Sequence, residues 1–245
     1  MLQKYFYIFK IKRSFERRKV MKKLLIFLMV FVSYSFVSKA QTISYDKTDF
    51  MDIASVIDDA VFDIRYYSPN NFTGNKIRGY KAPKAYMTKE ALTALKKAAD
   101  DLRSQGYRIL IWDSYRPQKA VDNFVEWINN PNDPGDKSFY PKLEKSELIA
   151  GNYIMEKSGH TRGSTVDLTI IRKDGTCVDM GGTFDLFSEV SHPDYENLTD
   201  EQKKNRQILH DAMINAGFKG LDSEWWHFTL ADEPYKDTYF NFDVE

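Results

Sequence analysis

The chain has 245 residues, 42% of them hydrophobic and 15% aromatic, a composition that supports a folded core and excludes disorder for most of its length. Its formal charge of zero is the sum of two unlike parts, because residues 1–40 hold ten of the 35 basic residues but only one of the 35 acidic ones. Residues 41–245 therefore carry a net charge of −9. Such an acidic domain disfavours nucleic acid as a partner, since phosphate backbones require a basic surface. The single cysteine, Cys177, excludes an intramolecular disulfide and a thiolate zinc cluster.

Residues 1–40 have the features of a secretory signal peptide. Two lysines follow Met21, an unbroken apolar run covers residues 24–32, and small residues occupy the −3 and −1 positions of a cleavage site that ends at Ala40. We predict translation from Met21, cleavage after Ala40, and one domain over residues 41–245, because no repeat or Pro/Gly/Ser-rich linker interrupts the remainder.

A membrane anchor is the alternative interpretation of this leader. Ser33, Tyr34 and Ser35 interrupt the apolar stretch, whereas a transmembrane helix requires about 20 mostly apolar residues. The interruption favours a cleaved signal. We therefore expect an exported, periplasmic domain that keeps no stable membrane anchor.

The first part of the mature chain predicts two helices around a strand. The first helix follows Thr88, which we expect to cap it, and ends at Gly106. Residues 107–113 form a short apolar run that predicts a buried strand. Pro117 favours the first turn of a second helix, which ends before an irregular segment at residues 131–152. The apolar residues expected to face inward are Ala91, Leu95, Ala98, Leu102, Ala120, Val121, Phe124 and Ile128.

The second part predicts one more helix and two more strands. The helix lies between Thr199 and Gly217, and Thr199 forms a capping-box pair with Gln202. Strands are predicted at residues 166–171 and 225–230. Because helices and strands do not alternate regularly, the pattern favours an α+β fold, a single domain with a mainly antiparallel sheet and flanking helices.

The four histidines restrict the choice of metal ligands. His160 and Asp167 lie in a polar, glycine-containing segment that continues into a strand, and His227 follows Glu224 in the aromatic segment EWWHF. A catalytic zinc ion takes three protein ligands from His, Asp or Glu and leaves one position open for water. His160 and Asp167 can supply two ligands, and His227 is the best candidate for the third. His210 lies beside the apolar face of a helix and is interpreted as structural. His192 has no partner at useful spacing for a metal site.

Each of these residues also has a plainer interpretation. His160 taken alone is more often a hydrogen-bonding loop residue, Asp167 can end a turn, and Glu224 can be a solvated charge. A carboxylate such as Glu224 beside a metal site is nevertheless what metal-assisted hydrolysis needs, because it takes a proton from the attacking water. On a regular strand, however, residues three apart face opposite sides. Glu224 and His227 can share a site only if the strand is bulged or locally wound, or if the glutamate reaches round its edge.

Arg116 lies where a predicted strand meets a predicted helix, a usual position for functional groups. One interpretation is a structural ion pair with Asp113. The other is a fixed cation that stabilises the oxyanion formed when water attacks a carbonyl. The residues alone leave both open.

Several motifs occur together in the order of a known family. They are DIRYYSPNNFTG, WDxYRP, SxHxxGxxxDLT, DMG with a following FD, SEVSH and EWWHF. The chain resembles the D-alanyl-D-alanine dipeptidases, the VanX-type zinc enzymes best known from vancomycin resistance, over nearly the whole mature domain. The resemblance implies one zinc ion per subunit bound by His160, Asp167 and His227, with Glu224 as general base and Arg116 as the group that stabilises the tetrahedral intermediate.

The resemblance also implies a short, closed pocket for the free amino terminus of a dipeptide. Residues that match its lining are Tyr66, Ser158 and Asp185, and Asp113 is a further implied substrate-binding residue. An anionic Asp185 that faces an ammonium group is chemically sensible, and a pocket closed at that end enforces dipeptide length. Gly159 stands where family members carry a second small polar residue.

The predicted function is zinc-dependent hydrolysis of D-alanyl-D-alanine to two D-alanines in cell-wall peptide turnover. Export favours salvage or remodelling of wall-derived dipeptides over glycopeptide resistance, because resistance-type members act in the cytoplasm. One alternative is a D,D-carboxypeptidase or peptidoglycan endopeptidase on the same scaffold, which would need an open groove. Another is a non-catalytic zinc-binding or wall-binding module, which would have no need of Glu224.

Overall fold

The computed structural model describes residues 41–151 and 153–245, so the predicted leader over residues 1–40 and its cleavage site lie outside the described residues. No helix of the described part is long and apolar enough to cross a membrane. The strands and α-helices are, in chain order, β1 (Thr42–Ser44), β2 (Phe50–Asp52), β3 (Val61–Phe62), β4 (Tyr86–Thr88), α1 (Lys89–Ser104), β5 (Tyr107–Asp113), α2 (Gln118–Asn129), α3 (Glu147–Ala150), β6 (Thr165–Arg172), α4 (Asp200–Asn215), β7 (Phe218–Leu221), β8 (Glu224–Leu230) and β9 (Thr238–Phe240).

A five-stranded sheet with the order β3-β5-β6-β8-β7 forms the centre of the fold. All neighbouring pairs in it are antiparallel except β3 and β5. The central strand β6 is buried from Thr165 to Ile171, since β5 and β8 flank it and side chains cover both of its faces. Helices α1 and α4 pack against each other, and α1 also packs on β5. The prediction of an α+β fold with a mainly antiparallel sheet is confirmed.

Helix α1 has the predicted position but not the predicted cap. It begins directly after Thr88, and its four predicted apolar residues are buried. The Thr88 side chain makes no capping hydrogen bond, and its Oγ1 lies 2.9 Å from Ser164 Oγ in the interior. Thr88 is the last residue of β4, so pairing with β2 directs its side chain inward rather than towards the helix end.

Helix α2 begins at Gln118, so Pro117 is its N-cap residue rather than part of its first turn. Trp127 is buried together with the predicted Ala120, Val121 and Phe124, while Ile128 is only partly buried. The segment after it is largely irregular, as predicted, and contains one 3₁₀ turn and the short helix α3.

Helix α4 begins with the predicted capping box. The backbone N–H of Gln202 donates to Thr199 Oγ1 at 3.2 Å, and the backbone N–H of Thr199 donates to Gln202 Oε1 at 2.9 Å. Two of the four unpaired N–H groups at the helix start are thereby satisfied.

We expect Thr199→Ala to lower the free energy of unfolding by about 1 kcal/mol, because the Gln202 N–H loses its acceptor. Urea denaturation of the variant and the parent protein measures this loss. Thr93→Ala is the matched control, because Thr93 is exposed within α1 and its hydroxyl donates to the Lys89 carbonyl oxygen, which is no cap. An unchanged midpoint in Thr199→Ala would contradict the capping role.

Candidate active site

Three predicted residues meet near the middle of the large sheet. Asp167 of β6 pairs directly with His227 of β8, and His160 lies on the 3₁₀ turn Gly159–Arg162 just before β6. One possible ligand atom from each residue lies within 4.8 Å of the other two. His160 Nε2 is 3.1 Å from Asp167 Oδ2 and 3.3 Å from His227 Nδ1. The residues therefore form one compact group of nitrogen and oxygen donors.

The protonation of His160 shows that this group suits a cation. His160 Nδ1 lies 2.7 Å from the carbonyl oxygen of Ser114, which can only accept, so Nδ1 carries the ring hydrogen. Burial lowers the pKa of His160 and favours the neutral ring, so Nε2 presents a lone pair to Asp167 Oδ2. Two lone pairs at 3.1 Å repel each other unless a cation lies between them. Two imidazoles and one carboxylate, with a carbonyl orienting one imidazole from behind, fit Zn²⁺.

A bulge in β8 brings Glu224 to the same side as His227. Along β7, Gly220 pairs with Phe228 but the next residue, Leu221, pairs with Glu224, so β8 holds extra residues between its two pairing positions. As a result, Glu224 Oε2 lies 3.4 Å from His227 Nδ1. Of the alternatives open from the sequence, the bulged strand is the correct one.

Glu224 has the properties of a proton carrier. Burial raises the pKa of its carboxyl to about 7, although the neighbouring His227 acts in the opposite direction. A carboxyl with a pKa near neutral pH can accept a proton and give it back. Glu224 also lies outside the group of three mutually close donor atoms.

Arg116 is held from one side and faces the cavity on the other. Its Nε donates to Asp113 Oδ2 at 2.9 Å, and its Nη2 lies 3.6 Å from Asp167 Oδ2. The guanidinium lies over the ring of Tyr66, 4.9 Å from its centroid. The ion pair considered from the sequence is present, and it fixes a cation at the wall of the cavity that contains Glu224.

Asp113 lies behind this wall. It is 1% exposed, and its carboxylate accepts hydrogen bonds from Arg116 Nε and from the Tyr80 hydroxyl at 2.6 Å. Both oxygens are engaged inside the protein, so this placement contradicts the expectation that Asp113 binds substrate. Its position suits it to hold Arg116 in place.

We expect Arg116→Ala to lower kcat by about 10² to 10³-fold, the cost of one lost oxyanion donor. Steady-state kinetics on the zinc-loaded variant, with circular dichroism as a check of folding, measures the effect. Arg103→Ala is the control, because Arg103 lies on α1 and pairs with Asp59 and Asp100 away from the cavity. A kcat equal to that of the parent would leave Arg116 with only its structural ion pair.

The remaining predicted residues line the same cavity, which has a volume of about 270 Å³. The hydroxyl of Tyr66 donates to Asp185 Oδ2 at 2.8 Å, and burial raises the pKa of Asp185 well above its ordinary value, although Arg116 opposes this. Ser158 Oγ accepts from the backbone N–H of His160 at 3.2 Å and so fixes the turn that carries this histidine. Tyr66, Ser158 and Asp185 are therefore brought together with the donor group, as the sequence predicts.

Tryptophan and phenylalanine rings form a cluster that includes Phe184, the residue before Asp185. Phe184 stacks on Trp112 with ring centroids 5.1 Å apart, and Trp226 meets Phe184 edge-on at 5.7 Å. Trp225 lies 5.4 Å from Trp226 and 5.9 Å from Trp112. Trp225 and Trp226, which lie in the bulge, are thus packed in an aromatic cluster next to Glu224.

Several cavity residues were not assigned to the site from the sequence. None of them is a usual metal ligand; Phe72 and Arg162 lie inside two of the motifs without a role assigned to them, and Phe124 was expected only to face the core. They are Phe72, Phe124, Tyr153, Ile154, Met155, Lys157, Arg162, Phe187, Leu221 and Thr229. The available signals were the motifs DIRYYSPNNFTG and SxHxxG, which contain Phe72 and Arg162, and the position of Lys157 directly before the second motif.

A second, larger cavity of about 840 Å³ lies on the other side of Glu224. It shares Glu224 and Leu221 with the smaller cavity and is otherwise lined by α4, the segment 193–198 and the β7-β8 hairpin. His210 is exposed and lines this cavity, with its ring centroid 6.5 Å from that of Phe228, and its structural role stays a prediction. The donor group lies in the smaller cavity, which is therefore the candidate active site.

The sheet, the three donors and the buried carboxylate define a metal-dependent hydrolase. A family model described as D-ala-D-ala dipeptidase, of the peptidase M15 group, matches residues 46–245. The chain belongs to this family.

Individual relatives support the assignment. The D-alanyl-D-alanine dipeptidase of Enterococcus faecalis is 42% identical over 185 residues, which cover 75% of this chain and 92% of the relative. The D-alanyl-D-alanine dipeptidase of Streptomyces coelicolor is 37% identical over 198 residues, which cover 80% and 98%. Among solved structures, VanYB in complex with D-alanine-D-alanine matches with a TM-score of 0.37 and 12% identity, over 62% of this chain and 76% of that one.

Proposed function

We propose that this chain hydrolyses D-alanyl-D-alanine to two molecules of D-alanine, with Zn²⁺ as its cofactor. The observation that carries the proposal is the small cavity in which a buried carboxylate, Asp185, lies together with the donor group and Glu224. The carboxylate of Asp185 suits the free ammonium group of a dipeptide, and a pocket closed at that end would enforce dipeptide length. The activity of the relatives supports the same substrate.

Asp185 and Tyr66 orient the substrate. The Tyr66 hydroxyl donates to Asp185 Oδ2, which leaves Oδ1 for the ammonium group of the substrate. Burial alone favours the protonated carboxyl, and an arriving ammonium favours the carboxylate, so binding of the substrate ionises Asp185. The pair forms inside an apolar wall, where charge-assisted hydrogen bonds are strong.

Glu224 and Arg116 act on the scissile peptide bond. Zn²⁺, held by His160, Asp167 and His227, would supply a Lewis acid that polarises the substrate carbonyl. Glu224 takes a proton from the attacking water on its carboxylate and then gives it to the leaving amine, for which its raised pKa is suited. Arg116 donates to the oxyanion that forms on the former carbonyl oxygen.

Release of free D-alanine from D-alanyl-D-alanine by the purified, zinc-loaded protein tests the proposal. N-acetyl-D-alanyl-D-alanine and a pentapeptide wall stem are the comparison substrates, and a chelated sample is the control. We expect metal-dependent cleavage of the free dipeptide and little cleavage of the other two, because neither brings an ammonium group to Asp185 beside the scissile bond. Comparable cleavage of the pentapeptide would favour a D,D-carboxypeptidase, and release from no substrate would favour a binding module.

We further propose that the enzyme is exported and acts on wall-derived dipeptides. The basic, apolar leader with small residues before Gln41 supports export. Fractionation of expressing cells and N-terminal sequencing test this: we expect a periplasmic protein that begins at Gln41. A cytoplasmic protein that retains Met21 would contradict it.

A further inference from the structure

Three basic side chains line the active-site cavity, and two of them already have acidic partners. Arg116 pairs with Asp113 at 2.9 Å. Arg162 donates from Nε and Nη2 to the two carboxylate oxygens of Glu233 at 2.7 and 2.8 Å. Lys157 is the third, and it forms no ion pair with any residue that the structure describes.

Lys157 lies at the open side of the cavity. Its side chain is exposed, and Nζ lies 5.6 Å from the ring centroid of Tyr239. Asp185, by contrast, is 6% exposed, and the preceding Phe184 packs against Tyr66 and Trp112. The cavity therefore combines a buried carboxyl group, which an arriving ammonium group ionises, with an exposed lysine.

A free dipeptide has the complementary arrangement of charges. It is a zwitterion with an ammonium group on its first residue and a carboxylate on its second, separated by about 7 Å when the two residues are extended. If Asp185 binds the ammonium group, the carboxylate lies beyond the scissile bond, towards the open side. A lysine on a flexible stem suits that position, because it can follow the substrate as it enters.

We infer that Lys157 binds the terminal carboxylate of the substrate and thereby selects free dipeptides over dipeptides blocked at that end. The inference rests on the proposed function, since it takes the orientation of the dipeptide from Asp185. Arg116 and Arg162 are less suited to this task, because Arg116 is assigned to the oxyanion and Arg162 already binds both carboxylate oxygens of Glu233 through Nε and Nη2.

The test compares D-alanyl-D-alanine with its C-terminal amide, D-alanyl-D-alaninamide, in the zinc-loaded parent protein and in Lys157→Met. We expect Lys157→Met to raise KM for the free dipeptide about tenfold, the lower limit for a hydrogen bond to a charged group, and to change kcat little. The KM for the amide should stay the same, because the amide offers no charge to Lys157. Lys157→Arg should restore part of the preference.

Lys97→Met is the matched control for loss of one surface charge, since Lys97 is exposed on α1 and is not part of the cavity. If Lys157→Met changes neither KM, or changes both equally, the inference is wrong while the proposed function stands. If Arg162→Met abolishes the preference and Lys157→Met does not, the carboxylate site belongs to Arg162 and the inference is also wrong. A parent protein that cleaves neither substrate would overturn the proposed function and this inference with it.

Discussion

Replacing Glu224 with glutamine is expected to lower kcat about 10³-fold while zinc remains bound at one ion per subunit. The amide cannot accept a proton from the attacking water or return one to the leaving amine. Its size is nearly unchanged, so the bulge and the Trp225–Trp226 anchor should persist. Turnover of D-alanyl-D-alanine and the zinc content of the same sample, measured by atomic absorption, give both numbers.

Glu196→Gln is the control for this variant, because Glu196 is an exposed carboxylate on the wall of the larger cavity. It should retain the kcat of the parent. Loss of zinc from Glu224→Gln would show that Glu224 is a ligand, and an undiminished kcat would show that it is no base. Either result would refute the assignment.

Replacing His160 with alanine is expected to abolish both zinc binding at stoichiometric metal and turnover. Substitution of an outer residue that merely orients a ligand weakens metal affinity about 10 to 100-fold, so loss of a ligand should weaken it by more than about 100-fold. The His160 ring also donates a hydrogen bond from Nδ1 to the Ser114 carbonyl oxygen, and this oxygen loses its partner in the alanine variant. Competition with a chromogenic chelator measures the affinity.

His210→Ala is the matched histidine control, because His210 is exposed and lies outside the donor group. Its zinc affinity and kcat should equal those of the parent. Unchanged zinc affinity in His160→Ala would remove His160 from the ligand set. A fall in affinity that occurs equally in both variants would instead indicate a general loss of stability.

Local sequence patterns were sufficient to predict the features whose interacting residues lie close together in sequence. The capping box of α4 joins Thr199 to Gln202, three residues apart, and its hydrogen bonds form as predicted. His160 and Asp167 are similarly close, and the turn and strand between them bring their side chains together. Short spacing of this kind determines geometry without knowledge of the rest of the fold.

Contacts between residues distant in sequence determine the features that the sequence left open or predicted wrongly. The side on which Glu224 lies depends on how β7 pairs with β8, and the bulge there is a property of two strands rather than one. Thr88 has the residue type of a cap but is turned inward by Ser164, 76 residues away. Asp113 accepts a hydrogen bond from the Tyr80 hydroxyl in the interior, and the local sequence around either residue does not indicate this hydrogen bond.

The tryptophans around the bulge also give the protein an optical signal. Three of its four tryptophans, Trp112, Trp225 and Trp226, form a cluster with Phe184, and the fourth, Trp127, packs on the cavity residue Phe72. Indole emission shifts with the charge and hydration of its surroundings. Tryptophan emission therefore comes from rings that pack on Phe72, which lines the catalytic cavity, or on Phe184, which adjoins Asp185, so metal loading and dipeptide entry can be followed by stopped flow without an attached dye.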